Sequence, residues 1–292
     1  MTPQKIRKAV IPAAGFGTRF LPATKATPKE MLPLVDKPLI QYGVEEAVAA
    51  GCTDIIIVTG RGKTTMEDHF DRSPELEAAL GARGKTELLQ LVHSIASLAR
   101  ISYVRQPDAL GLGHAVLMAK ELVGQEPFAV ILPDDIVDAQ PGCLAQMVAA
   151  FAETQTTILG TEWVQGDAIS LYGCLDCTPH PTNPRLVAVN NLVEKPRPQE
   201  APSQNAIIGR YILTPRIFAM IEQLTPGTGG ELQLTDALRA LLKYEQIYGF
   251  HYQGQRYDAG DKLGFLKATV DFALQHDAVG PAFRNWLRTQ NF

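Results

Sequence analysis

Residues 8–42 read KAVIPAAGFGTRFLPATKATPKEMLPLVDKPLIQY. The first six, Lys8 to Ala13, form an apolar, β-branched run of strand length. It empties into a glycine-rich turn, Ala14-Gly15-Phe16-Gly17-Thr18-Arg19-Phe20. A buried strand followed by glycines suggests a nucleotide phosphate site, because backbone N–H groups come close to phosphate where no Cβ intervenes. A dinucleotide fingerprint fails here. Phe20 stands at the third glycine position, and Pro22, Pro28, Pro33 and Pro38 forbid the helix that should follow. No G-x-x-x-x-G-K-[ST] occurs, which argues against a P-loop kinase. The expectation is an extended loop in which Gly15, Gly17, Arg19, Lys25 and Lys29 wrap a triphosphate. Arg19, beside the glycine turn, and Lys29, set by Pro28, are the ligands of choice; Lys25 reads as a solvated cation.

Outward from this stretch, short β-branched runs alternate with amphipathic segments. Leu39 to Ala50 has helical spacing and is stopped by Gly51; Asp54 to Thr59 is a strand. Strand and helix pairs follow at Ile101–Arg105 with His114–Val123 and at Phe128–Leu132 with Cys143–Ala152, then a strand at Thr157–Thr161. No element is read between Thr59 and Ile101. After about Gly166 the texture changes to runs at Leu171–Asp176, Leu186–Glu194 and Ala206–Leu213, added to the same sheet or folded over it. Helices at Leu232–Tyr244 and Leu263–His276 bracket a last strand near Ile247–Asp258. The pattern predicts an α/β fold with a Rossmann-like, doubly wound mixed sheet and a smaller added β region. No linker or charge run divides residues 1–292, so one domain is expected.

Composition narrows the class. Of 292 residues, 46% are hydrophobic and 20% charged, which excludes disorder and disulfide scaffolds. A net charge of −4 gives no bulk attraction to nucleic acid, so none is expected as a partner and phosphate binding must be local. Four cysteines, Cys52, Cys143, Cys174 and Cys177, suit a reducing cytosol. The opening residues do not read as a signal peptide, and no apolar stretch has spanning length, so a cytoplasmic protein with no membrane partner is expected. Cys174-Leu-Asp-Cys177 has no second pair at ligand spacing and falls on a strand, where i and i+3 face opposite sides; zinc is not expected.

Asp134, in Leu132-Pro133-Asp134-Asp135, sits just past a strand, and Asp258 follows another and precedes Gly260. Mg²⁺ takes one or two carboxylates plus phosphate oxygens, so this pair suits one metal bridging two phosphates. Asp135 reads equally as turn chemistry and is left out. In Glu194-Lys195-Pro196 the acid and base leave a strand on opposite faces, although Pro196 halts the strand and can twist both toward one site.

The run GFGTRFLPATKATPKEMLPLVDKPLIQY, followed in order by RQPDALGLGHAV, AVILPDD, YGCLD, VEKP, AIIGRYIL, GGELQLTDAL and YDAGDKLGFLKA, resembles the sugar-phosphate nucleotidyltransferases, and within them the bacterial uridylyltransferases acting on glucose 1-phosphate. The resemblance spans nearly the whole chain. It implies the nucleotide-diphospho-sugar transferase type of fold, with about 1–135 as a nucleotide-binding half, 136–262 as a sugar-phosphate half and 263–292 as C-terminal helices. It implies UTP and glucose 1-phosphate as substrates, UDP-glucose and pyrophosphate as products, Mg²⁺ as cofactor, and a homo-oligomer, dimer or tetramer. By resemblance Arg19 and Lys29 are catalytic, and Asp134 and Asp258 hold the metal. Ala13, Ala14, Gly15, Gln106 and Gly111 bind the nucleotide; Gly173, Glu194, Lys195, Gly209 and Arg210 line the sugar-phosphate pocket. Gln106 has the donor and acceptor that an imide edge needs, but equally suits a loop carbonyl. Use of dTTP or another sugar phosphate, or a non-catalytic sensor on the same fold, are the competing readings. A sensor could dispense with Lys29, Asp134 or Asp258, and all three are present.

Overall fold

The computed structural model describes residues 4–227 and 230–291. Its first strand, β1 (Lys8–Pro12), shows why the opening run is apolar throughout. Val10 enters the core on one face of the sheet and Ala9 and Ile11 the core on the other, all fully buried. In parallel with it run β4 (Asp54–Thr59) and β6 (Phe128–Ile131), and β5 (Arg100–Arg105) extends β4. β11 (Asn205–Leu213), buried along its whole length, enters antiparallel between β6 and β8 (Ile158–Trp163). β12 (Tyr248–His251) lies parallel to β8; β10 (Leu186–Glu194) and β9 (Gly173–Pro179) then close the sheet with antiparallel pairs. The order is β5-β4-β1-β6-β11-β8-β12-β10-β9, the predicted mixed sheet.

Helices cover both faces. α1 (Leu39–Ala49) and α7 (Cys143–Thr154) bury Ile40, Val44, Leu144 and Phe151 against Ala9, Ile11 and Ile57. On the other face α5 (Leu112–Met118), α6 (Lys120–Val123), α8 (Arg216–Glu222) and α9 (Leu234–Leu241) bury Val116, Val123, Ile217 and Leu238 against Val10, Val58 and Phe128. The Phe128 and Phe218 rings stack with centroids 5.1 Å apart. Each such side chain contributes about 1.5–3 kcal/mol by leaving water. A smaller β region stands apart: β7 (Asp135–Asp138) pairs with β13 (Gln255–Asp258), and β2 (Pro33–Leu34) with β3 (Lys37–Pro38). They share a core of Leu34, Ile136, Tyr257 and Ala268 with α10 (Lys262–Gln275), onto which α11 (Gly280–Arg288) folds.

Several expectations are corrected. The glycine loop is not extended: it winds through three 3₁₀ turns, Thr18–Phe20, Ala23–Lys25 and Lys29–Met31, since proline tolerates the start of a turn while blocking a longer helix. The stretch 60–99 holds α2 (Thr65–Phe70), α3 (Pro74–Ala82) and α4 (Thr86–Ala96), none of them read from the sequence; α4 carries the helical stripe Leu88, Leu91, Val92 and Ile95, yet buries no residue in the fold. The His114–Val123 helix breaks at Ala119. The last strand is two strands in different sheets, parted at Gly254, where φ is +147° and a Cβ would lie 2.6 Å from Ala139 Cβ. The Leu232–Tyr244 helix starts only at Leu234, because Leu232 uses its backbone N–H and carbonyl on Leu110 and Gly113. The polar pair Asn190-Asn191 sits at a β-bulge in β10.

Arg210 is the largest departure. Its side chain is 1% exposed and crosses to the α1 face of the sheet, where it pairs with Glu46 at 2.8 Å and donates to the carbonyls of Leu132 and Gly209. It is a buried tie between β11 and α1 and does not line the cavity that Gly173, Glu194, Lys195 and Gly209 border, against the expectation. Arg210→Met should therefore cost about 3–5 kcal/mol, because Glu46 is left as an uncompensated buried charge. Urea denaturation reads this as a lower midpoint, and adding Glu46→Gln should recover part of it.

Candidate active site

Two cavities open side by side at the C-terminal ends of the parallel strands, where open α/β sheets place ligands. One, of about 480 Å³, is walled by the glycine loop and the turn after β5; the other, of about 300 Å³, lies between β9, β11 and the β7–β13 pair. Both are bounded by Leu112, Leu132, Asp134 and Glu231, so Asp134 stands on the partition.

In the larger cavity Ala14, Gly15, Gln106 and Gly111 are all present. A Cβ at Gly15 would meet no described atom within 4 Å, so packing among the described residues does not require a glycine there, and the position borders the cavity. Gly17 has φ +64°, and its missing Cβ would lie 3.0 Å from Lys29 Cβ: the glycine lets the lysine pass close over the turn. Gly111, at φ +94°, accepts from Gln106 Nε2 at 3.2 Å and packs against Glu231. The Gln106 amide also donates to His114 Nδ1, so its N–H groups serve the loop, and no described residue donates to its oxygen. Ala13 is a correction. Its N–H donates to Val58 and its carbonyl accepts from Lys63 Nζ at 2.6 Å, so both its backbone groups are used beneath the cavity and neither faces it.

In the smaller cavity Arg19, Gly173, Glu194, Lys195, Gly209 and Asp258 line the wall. Lys195 takes φ +43°, which turns it back beside Glu194, with Nζ 3.6 Å from Glu194 Oε1; the acid and base of the strand end thus share one site. Glu194 Oε2 accepts from Thr235 at 2.7 Å. A Cβ at Gly173 would press on Ile207, Thr235 and Glu194, and one at Gly209 would come within 2.7 Å of Leu132 Cβ. Residues that the sequence reading did not single out complete the wall: Tyr172, Glu231, Gln233, Thr235 and Arg256. All lie inside or beside the motifs quoted above; Tyr172 is next to Gly173, and Arg256 lies two residues before Asp258 on the same strand. In GGELQLTDAL the first glycine, Gly229, lies outside the described residues. Lys25 is exposed and borders neither cavity.

The two aspartates meet because of the β7–β13 ladder. Asp258 pairs in register with Asp135, which follows Asp134 directly. A Cβ at Gly260 would lie 2.7 Å from Asp134 Oδ2 and 3.0 Å from Asp258 Oδ1, so the two carboxylates cradle one small space. Arg256 Nη1 donates to the Tyr172 hydroxyl at 3.3 Å, and that hydroxyl lies 3.5 Å from Asp258 Oδ2. Lys29 Nζ contacts Asp134 Oδ2 at 2.5 Å. Burial raises the Asp134 carboxyl, but the Lys29 charge and hydrogen bond outweigh it and hold the group below the usual aspartate range. Burial raises Asp258 above that range. Among the described residues no three His, Cys, Asp or Glu side chains cluster as a metal cage; Asp134 and Asp258, side by side on the smaller cavity, are the two carboxylates that could hold a divalent cation together with a ligand's oxygens. No helix among the described residues is long and apolar enough to cross a membrane.

The family model described as "Nucleotidyl transferase" matches residues 8–274. The chain is 52% identical over 272 residues to UTP--glucose-1-phosphate uridylyltransferase of Bacillus subtilis, covering 93% of this chain and 92% of the relative. It is 49% identical over 287 residues to UTP--glucose-1-phosphate uridylyltransferase 1 of Staphylococcus saprophyticus, covering 98% and 99%. Among solved structures, UTP-bound UGPase from Acinetobacter baumannii superposes with TM-score 0.91 at 41% identity, covering 98% of this chain and all of that one. UDP-glucose pyrophosphorylase complexed with UDP-glucose gives TM-score 0.83 at 44% identity, covering 93% and 100%. Sequence, fold and the paired cavities agree: the chain belongs to the nucleotidyl transferase family.

Proposed function

We propose that this protein transfers the uridylyl group of UTP to glucose 1-phosphate, releasing pyrophosphate and forming UDP-glucose. The observation that carries this reading is the pair of cavities meeting at Asp134. A two-substrate transfer between anions needs two adjoining sites with cations at the seam, and Lys29 and Arg19 stand on either side of it. The close relatives named above carry this activity in their names, which supports the same assignment here.

The larger cavity takes the nucleotide, with Ala14, Gly15, Gln106 and Gly111 against the base. The smaller takes the sugar phosphate, with Glu194 accepting from sugar hydroxyls and Lys195 against the phosphate. The attacking phosphate monoester is mostly dianionic at neutral pH, so no general base is required. What opposes reaction is repulsion, about 4 kcal/mol per unit-charge pair at 4 Å and an effective dielectric of 20. Lys29 and Arg19 offset it, and Lys29 exchanges Asp134 for phosphate oxygens when the nucleotide binds. Asp134 and Asp258 fit one Mg²⁺, which when bound neutralises phosphate charge and polarises the phosphoryl oxygens.

Pyrophosphate release measured with a panel of nucleotides and sugar phosphates tests the assignment. UTP with glucose 1-phosphate should be the fastest pair, and silence with that pair alone would overturn it. Asp134→Asn and Asp258→Asn should each lose most turnover, consistent with several kcal/mol from the metal, while melting as the wild type does. Gly260→Ala, which fills the cradle between them, should require more Mg²⁺ for half-maximal rate. Full activity of either Asn variant in limiting Mg²⁺ rules out the metal assignment. Lys195→Ala should weaken glucose 1-phosphate binding by about tenfold, or 1.4 kcal/mol, with UTP binding nearly unchanged. Calorimetric titration of both ligands checks it; collapse of UTP binding instead would place VEKP on the nucleotide side.

A further inference from the structure

Beneath the nucleotide cavity lies a buried lysine that the reaction does not use. Lys63 follows β4 in Gly60-Arg61-Gly62-Lys63, and its side chain is only 10% exposed. Its Nζ donates to Ala13 O at 2.6 Å and to Glu30 Oε2 at 2.9 Å. Glu30 has no exposure at all, and its second oxygen, Oε1, has no partner among the described residues. Glu30 is also the neighbour of Lys29 in the same 3₁₀ turn, and the two side chains go opposite ways, Lys29 to Asp134 and Glu30 to Lys63. Four charges therefore alternate in a row, Lys63, Glu30, Lys29 and Asp134.

The row creates a competition. A buried carboxylate next to a catalytic ammonium draws that ammonium toward itself, and in a site shielded from water such attraction is strong. Lys29 must be free to leave Asp134 for a phosphate, and an unneutralised Glu30 would hold it back. Burial pushes the Glu30 carboxyl up, and Lys63 is the cation in hydrogen-bond contact that opposes this. We infer that Lys63 is a positioning residue for the transfer: by engaging Glu30 it keeps Lys29 available to the triphosphate. This rests on the uridylyl-transfer reading and adds to it a residue that touches neither substrate.

A purely structural prop under Ala13 and a neutraliser of Glu30 differ in one respect. If Lys63 only supports Ala13, removing the Glu30 charge as well does no good; if it neutralises Glu30, that second change restores the enzyme. Three forms of the full chain are compared at saturating UTP and glucose 1-phosphate: wild type, Lys63→Met, and Lys63→Met with Glu30→Gln. Lys63→Met should lower kcat by about tenfold or more, the scale of losing one group that stabilises transition-state charge, while UTP affinity by calorimetry stays within about threefold. The double variant should return kcat to within about threefold of wild type. A double variant as slow as the single one, or a Lys63→Met enzyme at full kcat, overturns the inference. Should Lys63→Met not fold, the double variant, which carries no buried charge there, is compared directly with wild type, and a tenfold deficit again overturns it. A wild-type enzyme that forms no UDP-glucose refutes the underlying reading instead, so the two failures are distinct.

Discussion

The carboxylate of Asp135 holds together the parts of the chain that make this site. It accepts from Gly209 N on β11 and from Arg256 Nε on β13, each at 2.6 Å, and it stands at the corner where β6 gives way to β7. An anion this deep is tolerable only with both partners in place. Once they are, the neighbours have little freedom: Asp134 precedes it in the chain, Asp258 lies across the ladder from it, and Tyr172 is held by the same arginine. The structural aspartate thus determines where Asp134 and Asp258 meet. The same contact explains Gly209, since a Cβ there would lie 2.9 Å from Asp135 Cβ and Oδ2.

Around that corner the chain solves an electrostatic problem by layering. Arg19 and Lys195, which have no strong partner among the described residues, are exposed and line the smaller cavity. Cations with strong partners, Arg210, Arg256 and Lys63, are withdrawn into the protein, each against a carboxylate. Lys29 is intermediate: it is paired with Asp134, and both groups line the larger cavity. The same residue type therefore stands in three settings, sorted by burial and by partner.

Early and late parts of the chain meet in a single sheet. β11 runs beside β6, so the walls of the two cavities share hydrogen bonds, and a further joint forms where Leu232 bonds Leu110 and Gly113. Gly113 is needed at that joint, because a Cβ would lie 2.6 Å from Leu232 O. The close approach brings Glu231 and Gln233 to the rims of the cavities from a segment more than 110 residues beyond the loop they touch. It is a tertiary contact with no local pattern to announce it.

The strands of the sheet and most of its covering helices were readable because burial on both faces demands unbroken apolar runs, and a covering helix demands a 3.6-residue period; α8, only seven residues long, was not read. Asp54–Thr59 and Leu186–Glu194 have the predicted limits for that reason. The glycine loop, Lys29, Asp134, Asp258, Glu194 and Lys195 stood out as candidates because phosphate chemistry uses those types beside strand ends, and the fold brings them to the two cavities. What sequence left open was orientation. Arg210 and Gly209 are adjacent letters in one strand, yet the pleat sends one side chain toward α1 and leaves the other position against the smaller cavity. Ala13 ends a motif, yet its carbonyl is taken from below by Lys63, a partner 50 residues away. Only the folded chain decides which face a residue presents and which partner reaches it first. Long-range contacts such as Glu30 with Lys63 leave no periodicity in the sequence, so what it specified was the chemistry available, and packing decided which groups were free to perform it.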